Sequence, residues 1–369
     1  MKITRISVYQ KYLPLKHPYW LSGGRLKFEV LDASFVKLET DSGITGWGEG
    51  TPWGHTYVPA HGPGIRAGIE TMAKAILGLD PRKVELVERA MDLCLPGHLY
   101  AKAPVDLACW DIMGKAFGLP IADLLGGRRE TGTPAASSVS SGEPGYMMDI
   151  IKSYREMGYY AHSAKVGGSD TDKDIERIRH IEHNRKPGEI LLYDVNRAWT
   201  RREASIVMNA VANLGVTFEQ PGETLDDIAE IRKVTTSPIS IDEALVTLQD
   251  ATRIARDGLA DVFGIKLNRV GGLTKARRLR DVAIAHGIQM FVMATGGSVM
   301  ADTEAAHLSQ SIPCEFIRAT WSCQDMLSLD VALGKGCRTT NGMLTIDDTP
   351  GLGCDPDEAI LGAPVAVYQ

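Results

Sequence analysis

Five apolar runs, HSAKVG, LLYDVN, TFEQP, ISIDEA and FGIKLN, each carry one ionisable side chain near their end: Lys165, Asp194, Glu219, Asp242 and Lys266. The intervals between these residues are 29, 25, 23 and 24 positions. One strand, one helix and two loops fill such an interval, so the spacing predicts successive βα units feeding a parallel sheet. A closed parallel sheet gathers the C-terminal ends of its strands on one face, which would set three carboxylates between two ammonium groups. Three converging carboxylates raise one another's pKa values unless a cation sits among them. Oxygen-only donors suit Mg²⁺ better than Zn²⁺. Such a cation stabilises the charge left when a carboxylate substrate loses its α-proton, and two flanking lysines can take and return that proton.

The same alternation continues on both sides of this stretch. TPAASSVS reads as a first strand, and IQMFVMAT and CEFIRATW as a seventh and an eighth, with amphipathic helices between. Eight such units close a barrel, whereas an open doubly wound sheet rarely repeats one unit so often. Before them, residues 1 to 60 read as antiparallel β. HPYWLSGGRLK is a loop between the first two strands, and the turn DSGIT leads into GWGEG, where Gly43 and Gly46 suit a tight hairpin. Residues 65–120 read as helices, the last admitting Pro104 early and ending at Gly118-Leu119-Pro120. A capping domain at 1–126 and a barrel at 127–325 follow, with Gly126-Gly127 as the boundary.

A net charge of −6 and the lack of a basic run argue against nucleic acid as partner. No stretch approaches the 18 apolar residues of a membrane span, and MKITRISVYQ alternates like a strand rather than a signal peptide, so a cytoplasmic protein is expected. The six cysteines show no metal or redox spacing and are expected to be reduced. A small-molecule carboxylate is left as the expected partner, in a homo-oligomer.

The order Lys165, Asp194, Glu219, Asp242, Lys266, together with GWGEG, APVDLACWDIMGKAFGLPIADLLGG and PGLG at 350–353, resembles the enolase superfamily, muconate-lactonizing-enzyme subgroup, over nearly the whole chain. The resemblance implies an α/β fold: a modified TIM-like (β/α)7β barrel with an α+β cap, to which residues 326–369 return. It implies one Mg²⁺ per subunit on Asp194, Glu219 and Asp242, with Lys165 and Lys266 as the acid/base pair. Where the family carries Lys-x-Lys, this chain has Ser163, which shares a face with Lys165 and makes room beside it. The mandelate-racemase type, with Asp on strand six and His on strand seven, does not match Lys266 and Met293-Ala294-Thr295.

Within the subgroup the chain resembles the proline-betaine and hydroxyproline-betaine 2-epimerases and the cis-3-hydroxyproline dehydratases. The shared segments are TPWGHTYVPAHG, Gly97-His98, Ala101-Lys102 and Gly296-Gly297; Thr295 and Ser298 stand where those relatives carry acids. In the family two capping loops close the barrel mouth, which places Tyr19, Trp20, Trp53, His55 and Tyr57 near the substrate, with Thr295 and Gly296 beside it. Trp321 and Tyr57 would form a cation–π wall for a ring ammonium. Asn196 points to the same face as Asp194 and could orient a ligand or a lysine, and Glu243 is expected to support a lysine. The expected reaction is 2-epimerisation of a proline-like cyclic amino acid or its betaine. The alternative is dehydration of a cis-3-hydroxyproline-type substrate through the same intermediate. A Schiff-base lyase using either lysine is disfavoured by the three acids.

Overall fold

The computed structural model describes residues 1–21, 24, 26–168 and 170–369. Strands β1 (Ile3–Leu21), β2 (Leu26–Thr40) and β3 (Thr45–Gly50) form an antiparallel sheet. Helix Leu99–Phe117 lies directly on β3. That contact explains the glycines of GWGEG: a Cβ at Gly46 would stand 2.3 Å from Ala108 O, and one at Gly48 2.2 Å from Pro104 O. Gly43, at φ +81°, serves the turn as expected, but Gly46 serves helix packing rather than the hairpin.

The stretch HPYWL, read from sequence as the start of a loop, is instead strand. β1 runs on to Leu21 and pairs Tyr19 with Phe28 after a register shift beyond Pro14. Ser22, Gly23 and Arg25, from the same predicted loop, lie outside the described residues.

The barrel comprises β4 (Thr133–Val139), β5 (Ala161–Lys165), β6 (Ile190–Asp194), β7 (Thr217–Glu219), β8 (Ile239–Ile241), β9 (Val262–Lys266), β10 (Gln289–Met293) and β11 (Ile317–Trp321). Each is parallel to the next, and β11 closes the ring on β4 through Thr320↔Ala135 and Trp321↔Ala136. Helices follow every strand except β11, which leads into the 3₁₀ turn Gln324–Met326. Three of these helices start on the same device a few residues past an acid-bearing strand end. Thr200 and Glu203, Thr224 and Asp227, and Thr247 and Asp250 form capping boxes for the helices beginning at Arg201, Leu225 and Leu248. A threonine cap contributes roughly 1 kcal/mol and fixes where each helix begins.

The C-terminal segment divides its contacts. β12 (Thr339–Thr340) and β13 (Met343–Leu344) form a hairpin against the start of β4, while β14 (Ala366–Tyr368) pairs with β1 in the cap. Among the described residues no helix is long and apolar enough to cross a membrane.

Helix Val299–Gln310 is pinned to the cap and to the PGLG segment by buried His307. Its Nδ1 accepts from Ala122 N at 3.1 Å, and its Nε2 faces Leu352 O at 3.0 Å, so the neutral ring donates there. Burial lowers its pKa from 6.5 to about 4. Between those pH values the unfolded chain binds a proton that the folded chain refuses. Stability therefore falls as pH drops from about 6.5 and levels off below about 4. A separation that wide makes the loss about 3 kcal/mol. His307→Gln keeps one acceptor and one donor, so its urea midpoint should fall less than wild type's between pH 7 and pH 4. Parallel acid losses in the two proteins would remove His307 from the account.

Candidate active site

In β5, β6 and β10 the period of two along a strand turns Ser163 and Lys165, Leu192 and Asp194, and Phe291 and Met293 toward the barrel axis, where all six line one cavity of about 30 Å³. Glu219, Asp242 and Lys266 complete its charged wall. Register places Lys165 level with Asp194, and Asp194 level with Glu219. Lys165 lies on the second strand of the ring and Lys266 on the sixth, four strands apart in a closed set of eight. The two ammonium groups therefore face one another across the cavity, with the acids between them.

Lys165 Nζ is ion-paired to Asp194 Oδ2. Burial draws the ammonium's pKa down, but Asp194, with Tyr19 and Glu219 behind it, outweighs burial and holds it above the ordinary lysine value. Lys266 Nζ binds Asp242 Oδ2 at 2.5 Å and the Tyr57 hydroxyl at 2.8 Å. Asp242 is also gripped from its other oxygen by Arg269 Nη2 at 2.5 Å. Burial raises the Asp242 carboxyl, and Arg269 and Lys266 together override it, keeping the group ionised far below the usual carboxylate range. Glu219 has no such partner: its Oε1 is buried and unbonded. Burial, then Asp194 and Asp242, push it well above the ordinary value.

That stranded oxygen tests the fit of a cation. Three carboxylates converge in a wall that offers no thiolate or imidazole, which is the donor chemistry of a hard divalent ion. Among the described residues no three His, Cys, Asp or Glu side chains are arranged as a finished ligand set. The physical reason is visible in the rotamers: Asp194 is turned onto Lys165, and Asp242 onto Lys266 and Arg269. The donor types fit Mg²⁺, and Asp194, Glu219 and Asp242 are the residues that would hold it.

The remaining expected residues separate into those on the cavity and those off it. Tyr57, Thr295 and Trp321 line it, as do Tyr19 and Trp53. Trp20 and His55 do not: both are exposed, Trp20 because alternation along β1 sends Tyr19 inward and Trp20 outward. Gly296 packs under Trp53 rather than on the cavity, and a Cβ there would lie 3.0 Å from the indole nitrogen. Trp53 Nε1 in turn donates to Thr295 O. Asn196 bridges Asp194 Oδ2 and Glu243 Oε1, both at 3.1 Å. Glu243, expected beside a lysine, instead meets Asn196 and, at 3.9 Å, Arg197.

Arg269 was not singled out from the sequence. Its only signal is position, three residues past Lys266 in the short helix Leu267–Val270. Outside the cavity lies a cleft of about 700 Å³ whose wall includes Arg269, Arg197 and Glu243. Tyr57 walls both spaces.

Comparison with known proteins agrees with this geometry. Residues 5–126 match the mandelate racemase/muconate lactonizing enzyme N-terminal domain, and residues 147–360 the enolase C-terminal domain-like family. The chain is 39% identical over 370 residues to a cis-3-hydroxy-L-proline dehydratase of Roseibium aggregatum, covering 100% of both. It is 31% identical over 315 residues to an N-succinyl-L-Arg/Lys racemase of Bacillus cereus, covering 84% of this chain and 85% of that one. The solved structure of an enolase superfamily member from Roseovarius nubinhibens, complexed with magnesium, is 47% identical at a TM-score of 0.95, covering 100% of this chain and 99% of that one. By its strand-end acids, its two lysines and these matches, the chain belongs to the enolase superfamily, in the muconate-lactonizing-enzyme subgroup.

Proposed function

We propose that this chain is a Mg²⁺-dependent enzyme that removes the α-proton of a proline-type cyclic amino acid or its betaine, Lys165 and Lys266 working from opposite faces. The observation that carries the reading is the facing of the two lysines across one cavity with three carboxylates between them. Bound by Asp194, Glu219 and Asp242, Mg²⁺ supplies the positive charge that stabilises the deprotonated substrate's carboxylate. A lysine locked to a carboxylate is an acid, so Lys165 becomes a base once Asp194 turns away from it. Lys266, steadied by the Tyr57 hydroxyl, holds the proton for the other face. Removal by one lysine and return by the other inverts Cα, which is 2-epimerisation.

A second reading has its own support, the full-length similarity to a protein named for dehydrating cis-3-hydroxy-L-proline. With a hydroxyl on the neighbouring carbon, the same deprotonated substrate expels it, and a lysine ammonium supplies the proton that makes it water. Proton NMR in D₂O with Mg²⁺ distinguishes the outcomes. L-proline and its betaine should gain deuterium at Cα and invert, and cis-3-hydroxy-L-proline should lose water. The absence of both Cα deuterium and water loss in every one of these substrates would overturn the proposal.

A further inference from the structure

The capping segment that carries Tyr57 has little of its own to hold it, since residues 52–60 form neither helix nor strand. Yet the Tyr57 hydroxyl is placed between two charged groups. It accepts from Lys266 Nζ at 2.8 Å and donates to Asp242 Oδ2 at 3.2 Å. A loop aims a side chain less sharply than a strand or helix does, so this placement needs support from outside the segment.

Arg197 supplies that support. Its Nη2 donates to Tyr57 O at 2.9 Å, and its guanidinium carbon stands 5.9 Å from the Tyr57 ring centroid. Among the described residues no other barrel side chain donates to the backbone of 52–60. The same guanidinium reaches two more barrel loops. Nη1 lies 3.3 Å from Glu223 Oε1, past β7, and Nε lies 3.9 Å from Glu243 Oε1, past β8.

The main chain beneath Arg197 is bent to put it there. Asn196 and Arg197 sit at φ +47° and +64°, two successive left-handed residues, and of the two only asparagine takes that conformation readily. The bend is pinned at both: Asn196 N donates to Asp194 Oδ1 at 2.9 Å, and Arg197 N to Gln220 O at 3.0 Å. Strain of this kind persists where its surroundings enforce it, and it clusters at functional sites. Arg197 lines the outer cleft and not the catalytic cavity, whereas Tyr57 lines both. It therefore acts through Tyr57 and not on the reacting atoms.

We propose that Arg197 is a positioning residue that clamps the capping segment to the barrel through Tyr57 O and so holds the Tyr57 hydroxyl on Lys266. The assignment rests on the acid/base reading of Lys266 above and extends it to the device that aims Tyr57. Lysine at position 197 would keep a donor for Tyr57 O and lose the fork that spans Tyr57 and Glu223 together. Methionine would keep the stem and lose every donor.

The experiment compares Arg197→Met, Arg197→Lys, Tyr57→Phe and the double variant Arg197→Met/Tyr57→Phe, with thermal melting to establish that each is folded. Turnover is read as kcat with Mg²⁺, on whichever of L-proline, L-proline betaine and cis-3-hydroxy-L-proline wild type turns over fastest. Amide hydrogen exchange is read across residues 53–58. Arg197→Met should lower kcat by about 10–100-fold, the range that a small misplacement near the chemistry costs. Arg197→Lys should recover most of that loss, and amide exchange across 53–58 should quicken in Arg197→Met. The double variant should be no slower than the slower single variant, because both changes break the same contact between Tyr57 and Lys266. An unchanged kcat in Arg197→Met, multiplied losses in the double variant, equal losses for methionine and lysine, or unchanged amide exchange would each overturn the assignment and leave the two lysines' role standing. No turnover of any of the three substrates by wild type would instead remove the proline-type reading. Quickened amide exchange in Arg197→Met would then still carry the clamp, and unchanged exchange would end it.

Discussion

Lys165→Ala and Lys266→Ala are each expected to lower net turnover by about 10²–10⁴-fold, the range a positioned acid or base contributes. The expectation follows from the placement of the pair. Strands β5 and β9 are half a barrel apart, so neither lysine can reach the face its partner serves. Both ammonium groups are buried, at 7% and 5% exposure, so bulk water is a poor substitute for either. The KM for a carboxylate substrate should change much less than kcat, because the carboxylate end is held on the acids' side. A variant of either lysine that turns over within a few-fold of wild type would leave the remaining lysine acting alone.

Glu219→Gln should weaken Mg²⁺ binding by at least about 100-fold, since even residues that only support a metal ligand typically cost 10–100-fold. The same substitution should leave the metal-free protein as stable as wild type or more so. Glu219 is buried between Asp194 and Asp242 with one oxygen unbonded, and removing its charge relieves that repulsion. Thermal melts with and without Mg²⁺ separate the two effects. Wild type should gain stability with the ion, about 2.7 kcal/mol when Mg²⁺ stands at 100 times its Kd, and Glu219→Gln should gain almost none at that concentration. A full Mg²⁺-induced rise in the variant would place the ion elsewhere.

The charged wall was legible in the sequence because each of its members closes a short apolar run at barrel period, where one-letter patterns are most regular. Lys165, Asp194 and Glu219 end their strands, so their direction follows from alternation alone. The aromatic wall was harder to read. Tyr19 and Trp20 are neighbours of similar chemistry, and only the continuation of β1 through residues read as loop decides which of them faces inward. His55 sits in an irregular segment with no period to orient it, and the structure leaves it exposed. No pattern in the sequence singles out Arg269. It is buried because Asp242 supplies a counter-charge that no sequence window containing Arg269 alone displays. Long-range pairings of this kind, such as Lys266 with Tyr57 from the cap, depend on how cap and barrel meet, which periodicity does not encode.

The central claim, two lysines serving opposite faces of one α-carbon, is tested most directly by following Cα deuterium exchange in D₂O for both enantiomers of a turned-over substrate. Wild type should exchange both, as proton NMR reads from the loss of the Cα signal. Lys165→Ala and Lys266→Ala should each abolish net inversion and retain exchange of one enantiomer only, opposite enantiomers for the two variants. Exchange of both enantiomers at the wild-type rate in either variant would contradict the account.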